Sequence, residues 1–218
     1  MTSIVLNSFE DARVLKEEVA RSQNAFFEEV KRFQDLVFSV LLGLILTVLI
    51  PFVALIVKLE SPGPIFFRQK RVGKDGKIFQ LLKFRSTYRT SVDETIGWRK
   101  DEENVYTKFG KFLRKSYIDE LPQIINIWKG EMSLIGPRPE RPEFVEVLKK
   151  AVPHYELRLL MRPGITGWAQ INMENDAAAE DAQEKLNYDL YYIKHRSPWL
   201  DLKIALKTSL LISQRRGR

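Results

Sequence analysis

The 218-residue sequence contains no cysteine and only two histidines, His154 and His195. Without cysteine the chain cannot form disulfides, zinc–thiolate sites, iron–sulfur clusters or a cysteine nucleophile. Two histidines also argue against a multi-histidine metal site. The phosphate-loop signature G-x-x-x-x-G-K-[ST], the dinucleotide signature G-x-G-x-x-G and the zinc signature H-E-x-x-H are absent as well. These absences exclude several common kinds of catalytic site and leave carboxylates and arginines as the candidates.

One segment lacks charge altogether: residues 36–57 read LVFSVLLGLILTVLIPFVALIV. As a straight helix, about 22 residues extend roughly 33 Å, which is just enough to cross a bilayer. Pro51 interrupts the run, because proline removes one helix hydrogen bond and its ring clashes with the carbonyl of Thr47. The roughly 15 residues before Pro51 extend only about 22 Å, which is short of the roughly 30 Å hydrocarbon core. The sequence therefore predicts a membrane helix that is kinked at Pro51.

Basic residues flank this apolar run on both sides. Lys31 and Arg32 precede it, and Lys58 is the first of several bases that follow it. Since Lys and Arg collect on the cytoplasmic side, two basic ends favour a re-entrant helix whose ends both remain in the cytoplasm. A kinked spanning helix is the alternative on these residues alone. A buried core helix of a soluble protein is disfavoured by the length of the uncharged run.

The rest of the charge is unevenly distributed in a chain of net charge +7 and pI about 9.5. Residues 68–89 carry eight Lys or Arg and one acid, Asp75. Because this basic stretch follows the membrane segment directly, anionic headgroups or a substrate phosphate are better partners for it than nucleic acid. An ordinary solvated surface is the alternative.

Periodicity and breakers predict an α+β fold that is mainly helical, with amphipathic helices suited to a membrane interface and a small β-hairpin. We expect an amphipathic N-terminal helix (9–35), within a segment of residues 1–35, the membrane helix (36–60), and a cytoplasmic-face catalytic domain (61–218). In that domain the predicted elements are a hairpin of Ile65–Val72 and Lys77–Phe84, a helix that begins at Asp119 and ends at Gly130, and helices near 143–160, 180–195 and after Pro198.

Two adjacent carboxylates, Asp119 and Glu120, are the candidate catalytic groups. The ordinary interpretation of Asp119 is a helix cap, since aspartate suits that position. The functional interpretation is a carboxylate with a low pKa that attacks phosphorus, with Glu120 holding a metal or acting as a base. Attack on a phosphate requires cations, which Arg114, Arg138 and Arg85 would supply together with Mg²⁺ held by the two carboxylates. Taken singly, each arginine is better explained as a surface charge; the three favour a functional site only as a set near the carboxylate pair and the membrane segment.

Several longer strings carry a resemblance to a known family. KxxxD before the apolar run (Lys31, Asp35), SPGPIFFRQKRVG, KFRS, RKSYIDELPQIINIWKGEMSLIGPRPERPEF, RPGITGWAQ and YDLYYI together resemble the bacterial sugar transferases. These are monotopic phosphoglycosyl transferases, and the likeness covers roughly residues 30–212. The chain resembles the short form of the exopolysaccharide branch, since it lacks the several N-terminal membrane helices of the long members.

The resemblance implies a re-entrant helix broken at Pro51 and a two-step reaction. Asp119 would attack the sugar-bearing phosphate of a UDP-sugar and release UMP, and undecaprenyl phosphate would then accept the phosphosugar. Glu120 matches the second member of the catalytic pair, and Arg114 and Arg138 match phosphate-contacting arginines. Arg85 falls in a family motif. The implied location is the cytoplasmic face of the bacterial inner membrane, where the reaction would initiate exopolysaccharide or other glycoconjugate synthesis.

Two other classes of function are compatible with parts of the sequence. A non-enzymatic membrane adaptor would use the basic hairpin for anionic lipid and the amphipathic helices for partners. A membrane-tethered nucleic-acid binder would show salt-dependent binding. The transferred sugar is left open, because we expect its selection to depend on the segments 88–105 and 172–182. The oligomeric state, including a homodimer, is left open too.

Overall fold

The computed structural model describes residues 9–22, 25–88, 106–173 and 181–214. Nearly all of the predicted sugar-selecting segment 88–105, most of the segment 172–182 and the basic C-terminal tail lie outside the described residues.

The described chain is mainly helical, as predicted. Its α-helices are α1 (Phe9–Ser22), α2 (Ala25–Glu60), α3 (Lys108–Lys115), α4 (Ile124–Trp128), α5 (Pro142–Ala151), α6 (Trp168–Asn172), α7 (Ala182–His195) and α8 (Pro198–Ser213). Its strands are β1 (Phe66–Val72), β2 (Ile78–Phe84), β3 (Ser133–Ile135) and β4 (Gly164–Thr166). Two short 3₁₀ helices that concern the candidate site span Ile118–Gln123 and Tyr155–Leu160.

The predicted helix over 9–35 corresponds to α1 and the first part of α2, with residues 23–24 outside the described residues. Helix α1 ends at Ser22, and residues 25–35 belong to the same helix as the apolar run. Polar side chains of residues 25–35 face the rest of the protein: Lys31 and Asp35 are buried, and Lys31 Nζ lies 2.8 Å from the Asp201 carboxylate of α8. Helix α1 packs Leu15 and Val19 into the main core.

Helix α2 contains 36 residues and continues through Pro51. Within the described residues it is the one helix long and apolar enough to cross a membrane, by length and composition alone. One face packs against the folded domain, where Leu46, Val53 and Val57 meet residues of β2, α3 and α4. Large apolar side chains cover its other faces and are exposed, including Leu44, Val48, Phe52, Leu55 and Leu59. Exposed apolar area of this extent is typical of a surface that contacts lipid or another protein.

Contacts between α2 and the domain extend to both ends of the helix. Near its start, Arg32 donates to the carbonyl oxygens of Ile127 (2.6 Å) and Trp128 (3.1 Å), which closes the end of α4. Further along, Trp128 Nε1 donates to Ser39 Oγ at 3.0 Å. The Trp128 ring lies over Gly43, where an added Cβ would come within 2.6 Å of the ring. At the far end, Val57 is buried against the domain.

The predicted β-hairpin is confirmed, with β1 and β2 paired antiparallel from Phe66↔Phe84 to Val72↔Ile78. The turn between the strands contains Asp75 at φ 56° and Gly76 at φ 76°. Aspartate and glycine tolerate this left-handed conformation, which explains why the sequence KDG serves here.

A second strand pair was not predicted. Strands β3 and β4 pair in parallel, through Ser133↔Gly164 and Ile135↔Thr166. At three residues each, they are too short to produce a periodic signal in the sequence. Their pairing brings the loop after β3, Gly136-Pro-Arg-Pro-Glu140, against the segment that contains Gly164. An added Cβ on Gly164 would lie 2.1 Å from the Gly136 nitrogen, so this approach requires glycine.

The main core forms around α7, near the predicted helix at 180–195. Leu186, Leu190 and Ile193 of α7 pack with Tyr155 and with Ile204 of α8. Helix α8 was predicted to be amphipathic, with either membrane or core packing. It buries Leu200 and Ile204 but exposes a second apolar stripe of Trp199, Leu202, Leu206 and Leu210. The interfacial role of this exposed stripe stays a prediction.

Candidate active site

The two candidate carboxylates lie on the 3₁₀ helix Ile118–Gln123, between α3 and α4. The prediction that Asp119 caps a helix is wrong. The residue before the first turn is Tyr117, which takes a left-handed conformation at φ 57° and makes no side-chain cap. The turn of the chain at Tyr117 places Asp119 and Glu120 inside the first turn of the 3₁₀ helix, where both are buried.

Glu120 forms the centre of an ion-pair arrangement. Its Oε1 accepts hydrogen bonds from Lys83 Nζ at 2.7 Å and from Arg138 Nη2 at 2.8 Å. Burial raises the pKa of Glu120, but the charges of Arg138 and Lys83 and their hydrogen bonds outweigh burial and hold the pKa well below its usual range. Glu120 is therefore a permanently charged group that ties a strand residue to a loop residue.

Asp119 is in a different electrostatic state from its neighbour. Burial raises the pKa of Asp119 to about 6; Lys83 opposes the rise, the like charge of Glu120 adds to it, and Arg114 and Arg138 oppose it. The expectation that its pKa is kept low is therefore wrong. At neutral pH this carboxylate is still charged, and it is held in a dry site with less solvation than an exposed aspartate would have.

Three cations surround the pair, and the sequence predicted two of them. Arg138, from the loop after β3, reaches Glu120 directly. Arg114, at the end of α3, has its guanidinium 4.5 Å from the centre of the Tyr106 ring and donates to the Tyr106 hydroxyl at 2.7 Å. Its positive charge lowers the pKa of Asp119, so Arg114 lies close enough to act on that carboxylate.

Lys83 is the third cation, and sequence reasoning missed it. It is a half-buried lysine in the strand IFQLLKF, whose other polar residue is Gln80, and burial lowers the pKa of Lys83 while Glu120 raises it. A lysine next to the last residue of this partly buried strand was the available signal, since a charge drawn into the interior needs a partner. Its partner lies 37 residues away in sequence, and no local pattern indicates that contact.

Arg85 occupies a different kind of position. It is buried, and its guanidinium donates to the carbonyl oxygens of Val57 (3.0 Å), Pro62 (3.0 Å) and Ser61. These carbonyls belong to the end of α2 and the turn after it, where helix carbonyls lack partners within the helix. The visible role of Arg85 is thus to bind the end of the membrane helix to β2. The substrate contact predicted for it stays a prediction.

The site offers few side chains that could bind a metal ion. Among the described residues, no group of three or more His, Asp and Glu side chains could hold one. Asp119 and Glu120 offer two adjacent carboxylates. Mg²⁺ commonly takes one or two carboxylates together with substrate phosphates and water, so this pair fits Mg²⁺ that arrives with a phosphorylated substrate.

The pKa values of Asp119 and Glu120 are shifted in opposite directions, so replacing each residue with its amide should have opposite effects on the free energy of unfolding. A carboxyl whose pKa is raised by folding opposes folding once it ionises, so Asp119→Asn should increase stability at pH 8, by at most about 3 kcal/mol. That gain should fade as the pH falls below about 6. The depressed pKa of Glu120 means that its charge favours folding above the ordinary glutamate pKa, so Glu120→Gln should destabilise at pH 8 and lose that effect in acid.

Thermal unfolding of the wild type and the two amide variants at pH 8, pH 5 and pH 3 measures both effects. The gain from Asp119→Asn should shrink between pH 8 and pH 5, whereas the loss from Glu120→Gln should shrink only below the ordinary glutamate pKa, between pH 5 and pH 3. Equal destabilisation by the two variants at pH 8 would contradict the assigned electrostatic states. Because each change is an isosteric acid-to-amide replacement, each variant serves as the control for the other.

Comparison with known proteins adds an independent observation. A family model described as bacterial sugar transferase matches residues 26–215. The chain is 44% identical over 179 residues to a UDP-N-acetylgalactosamine-undecaprenyl-phosphate N-acetylgalactosaminephosphotransferase of Aeromonas hydrophila, covering 82% of this chain and 42% of that one.

Two further relatives are named for a different sugar. A UDP-glucose:undecaprenyl-phosphate glucose-1-phosphate transferase of Escherichia coli (strain K12) is 41% identical over 182 residues, covering 82% of this chain and 39% of that protein. A protein of the same name from Caulobacter vibrioides is 38% identical over 180 residues, covering 82% of this chain and 67% of that protein. The chain thus spans about two fifths of the length of the first two relatives. The match over residues 26–215, which contains every residue of the candidate site, makes the chain a member of the bacterial sugar transferase family.

Proposed function

We propose that the protein is a phosphoglycosyl transferase that moves a sugar-1-phosphate from a UDP-sugar to undecaprenyl phosphate. The observation that carries this proposal is the buried Asp119–Glu120 pair with Lys83, Arg114 and Arg138 around it. The family and the names of the relatives favour the same class of reaction.

In the first step an Oδ atom of Asp119 forms a bond to the sugar-bearing phosphorus. The anhydride bond to the other phosphate breaks, and UMP leaves with the electron pair. In the second step a phosphate oxygen of undecaprenyl phosphate attacks the same phosphorus, and the Asp119 carboxylate leaves unchanged. A pKa of about 6 suits both steps, since the group is ionised for attack and weakly basic enough to depart.

The other site residues have separate roles in this mechanism. Two cations already contact Glu120, so it is suited to orient them and not to attack. Lys83, Arg114 and Arg138 would balance the charge of the diphosphate next to Asp119. Asp119 and Glu120 would hold Mg²⁺, which would neutralise phosphate oxygens when bound.

Helix α2 supports a monotopic arrangement at the cytoplasmic face of the bacterial inner membrane. Arg32 near its start and Val57 near its end both contact the same domain. A straight span would separate these points by most of the bilayer thickness, roughly 37 Å at 1.5 Å per residue. A re-entrant helix bent at Pro51 would keep both contacts on one side and leave its exposed apolar faces for lipid. The bend is part of the proposal, since α2 continues through Pro51 as one helix.

The main test of this proposal is UMP release from a panel of UDP-sugars with undecaprenyl phosphate present. Wild-type protein in lipid nanodiscs should release UMP with at least one donor. Asp119→Asn should abolish turnover and the labelling of the protein by sugar-labelled donor, because the nucleophile is gone. Glu120→Gln should retain much more donor binding than rate.

The matched control for the aspartate change is Asp75→Asn, in the exposed hairpin turn where asparagine also accepts φ 56°. Near-normal turnover in Asp119→Asn would refute the nucleophile assignment. Charge-dependent liposome binding without UMP release from any donor would instead favour the membrane adaptor.

A lysine replacement separates the two roles of Arg85. Lysine cannot reach three carbonyls with a planar fork, so Arg85→Lys should lower the melting temperature with little change in donor KM. Arg114→Lys is the comparison variant and should raise donor KM instead. A raised donor KM and unchanged melting temperature in Arg85→Lys would support the substrate contact.

The re-entrant topology has a direct test because the chain has no cysteine of its own. Lys16→Cys on α1 and Lys149→Cys on α5 place single exposed thiols before and after α2. In the two single-cysteine variants that retain Pro51, impermeant maleimide should label both thiols from the cytoplasmic side. Pro51→Leu restores a helix hydrogen bond and should move a fraction of Lys16→Cys to the opposite side. If both positions stay cytoplasmic in Pro51→Leu, the role given to Pro51 is wrong.

A further inference from the structure

A second group of buried charges lies behind the candidate site. Arg158 contacts Asp189 through Nε (3.0 Å) and Nη2 (2.8 Å), and its Nη1 donates to the Tyr155 hydroxyl at 2.5 Å. The Glu140 carboxylate lies 2.6 Å from Lys185 Nζ. We call this group the rear charge cluster; its members are Arg71, Glu140, Tyr155, Arg158, Lys185 and Asp189.

The rear charge cluster is attached to the loop that carries Arg138. Arg158 Nη2 donates to the Arg138 carbonyl at 2.9 Å, and Arg71 Nη1 donates to the Pro139 carbonyl at 2.9 Å. On either side, the Pro137 carbonyl accepts from Gly164 N and the Glu140 carbonyl accepts from Val72 N, both at 2.9 Å. Every carbonyl from residue 137 to residue 140 is therefore held by a group outside the loop.

The composition of this loop explains why it needs outside support. Pro137 and Pro139 have no backbone N–H, so the loop cannot form a ladder of its own hydrogen bonds. The prolines restrict φ within the loop, but they do not by themselves fix the position of the loop relative to the rest of the protein. Its placement relative to Glu120 then depends on the groups that hold its carbonyls, of which Arg158 contacts Arg138 itself.

Stability alone does not account for such a cluster. Five charged groups in or near the interior carry a large desolvation cost, and well-packed apolar replacements of buried ion pairs are often neutral or stabilising. Arg158 and Asp189 are 3% and 1% exposed, so their pair belongs to this class. A planar guanidinium does, however, hold a carboxylate and a carbonyl at fixed angles, which apolar side chains cannot do.

We propose that Arg158, held by Asp189 and Tyr155, is a positioning residue that fixes the main chain of Arg138 so that its guanidinium meets Glu120 and the donor diphosphate. This inference rests on the proposed function for the identity of the donor. Arg158 acts through Arg138 and makes no contact with the reacting atoms. A series of contacts connects Asp189 to Glu120 through Arg158 and Arg138, and the two atoms of each contact are 3.0 Å apart or less.

The test is an apolar replacement of the pair, Arg158→Met with Asp189→Leu, in the full-length protein in nanodiscs. Because the swap keeps the core filled, its melting temperature should stay within about 5 °C of the wild type. Donor kcat/KM should fall about tenfold to a hundredfold, and the dissociation constant of UDP should rise, since a small misplacement of a positioning group has effects of this size.

Two comparisons separate positioning from general damage. The exposed ion pair Lys149–Glu146 of α5 provides a matched control, and Lys149→Met with Glu146→Leu should change none of these values. In an Arg138→Lys background, the apolar swap should have little further effect on UDP binding, because the group that it positions is already altered.

Full additivity with Arg138→Lys, or unchanged UDP binding in the swap, would overturn the inference. If the swap fails to fold, Arg158→Lys is the second variant; it keeps the charge beside Asp189 but loses the fork. It should lower the melting temperature, as expected for Arg85→Lys, and it should also weaken UDP binding at temperatures where the variant is fully folded. Unchanged UDP binding in the folded variant would overturn the inference. A wild-type protein that binds UDP but releases UMP from no donor would refute the proposed function, while UDP binding would still decide the role of Arg158.

Discussion

The contact on which the site depends is the sharing of one Glu120 oxygen between Lys83 and Arg138. It joins strand β2, the 3₁₀ helix Ile118–Gln123 and the loop after β3, three segments that lie far apart in the sequence. Each partner has a charge that would be costly to leave alone in a buried position. The same contact satisfies Glu120 and leaves Asp119 as the less stabilised of the two carboxylates, which is the asymmetry that the proposed chemistry needs.

Helix α2, the candidate membrane helix, is bonded directly to the elements that carry the site. Its end is tied to β2 through Arg85, two residues after Lys83, and to α3 through Glu60, whose Oε1 accepts from Phe109 N at 2.9 Å. Helix α3 carries Arg114. Two of the three cations around Asp119 thus belong to elements that are fixed to the end of α2. The depth of α2 in a lipid surface would therefore set the height of the site above that surface, where a lipid-borne phosphate is expected.

What the sequence could predict follows from the range of the interactions. The hairpin, α7 and α8 were found because their signals are local: turn residues, apolar periodicity and a proline at a helix start. Asp119, Glu120, Arg114 and Arg138 were selected through motifs, and the structure brings them together; their roles stay a prediction. The sequence did not indicate the contact of Lys83 with Glu120, the parallel pair of β3 and β4, or the buried contacts of Arg85. Each of these depends on partners that are remote in sequence. The cap assigned to Asp119 failed because the left-handed Tyr117 has no sequence signature.

The residues of the site also bear on how one scaffold serves different sugars. Relatives of similar identity are named for N-acetylgalactosamine and for glucose. Asp119, Glu120 and the three cations would act on the diphosphate, which every UDP-sugar shares, so they have no reason to change with the sugar. Selection must then come from groups that reach the sugar ring beyond the phosphates. On this division of roles, the buried charges that hold Arg138 belong to the shared part of the site, and altering them should weaken the use of every donor by a similar factor.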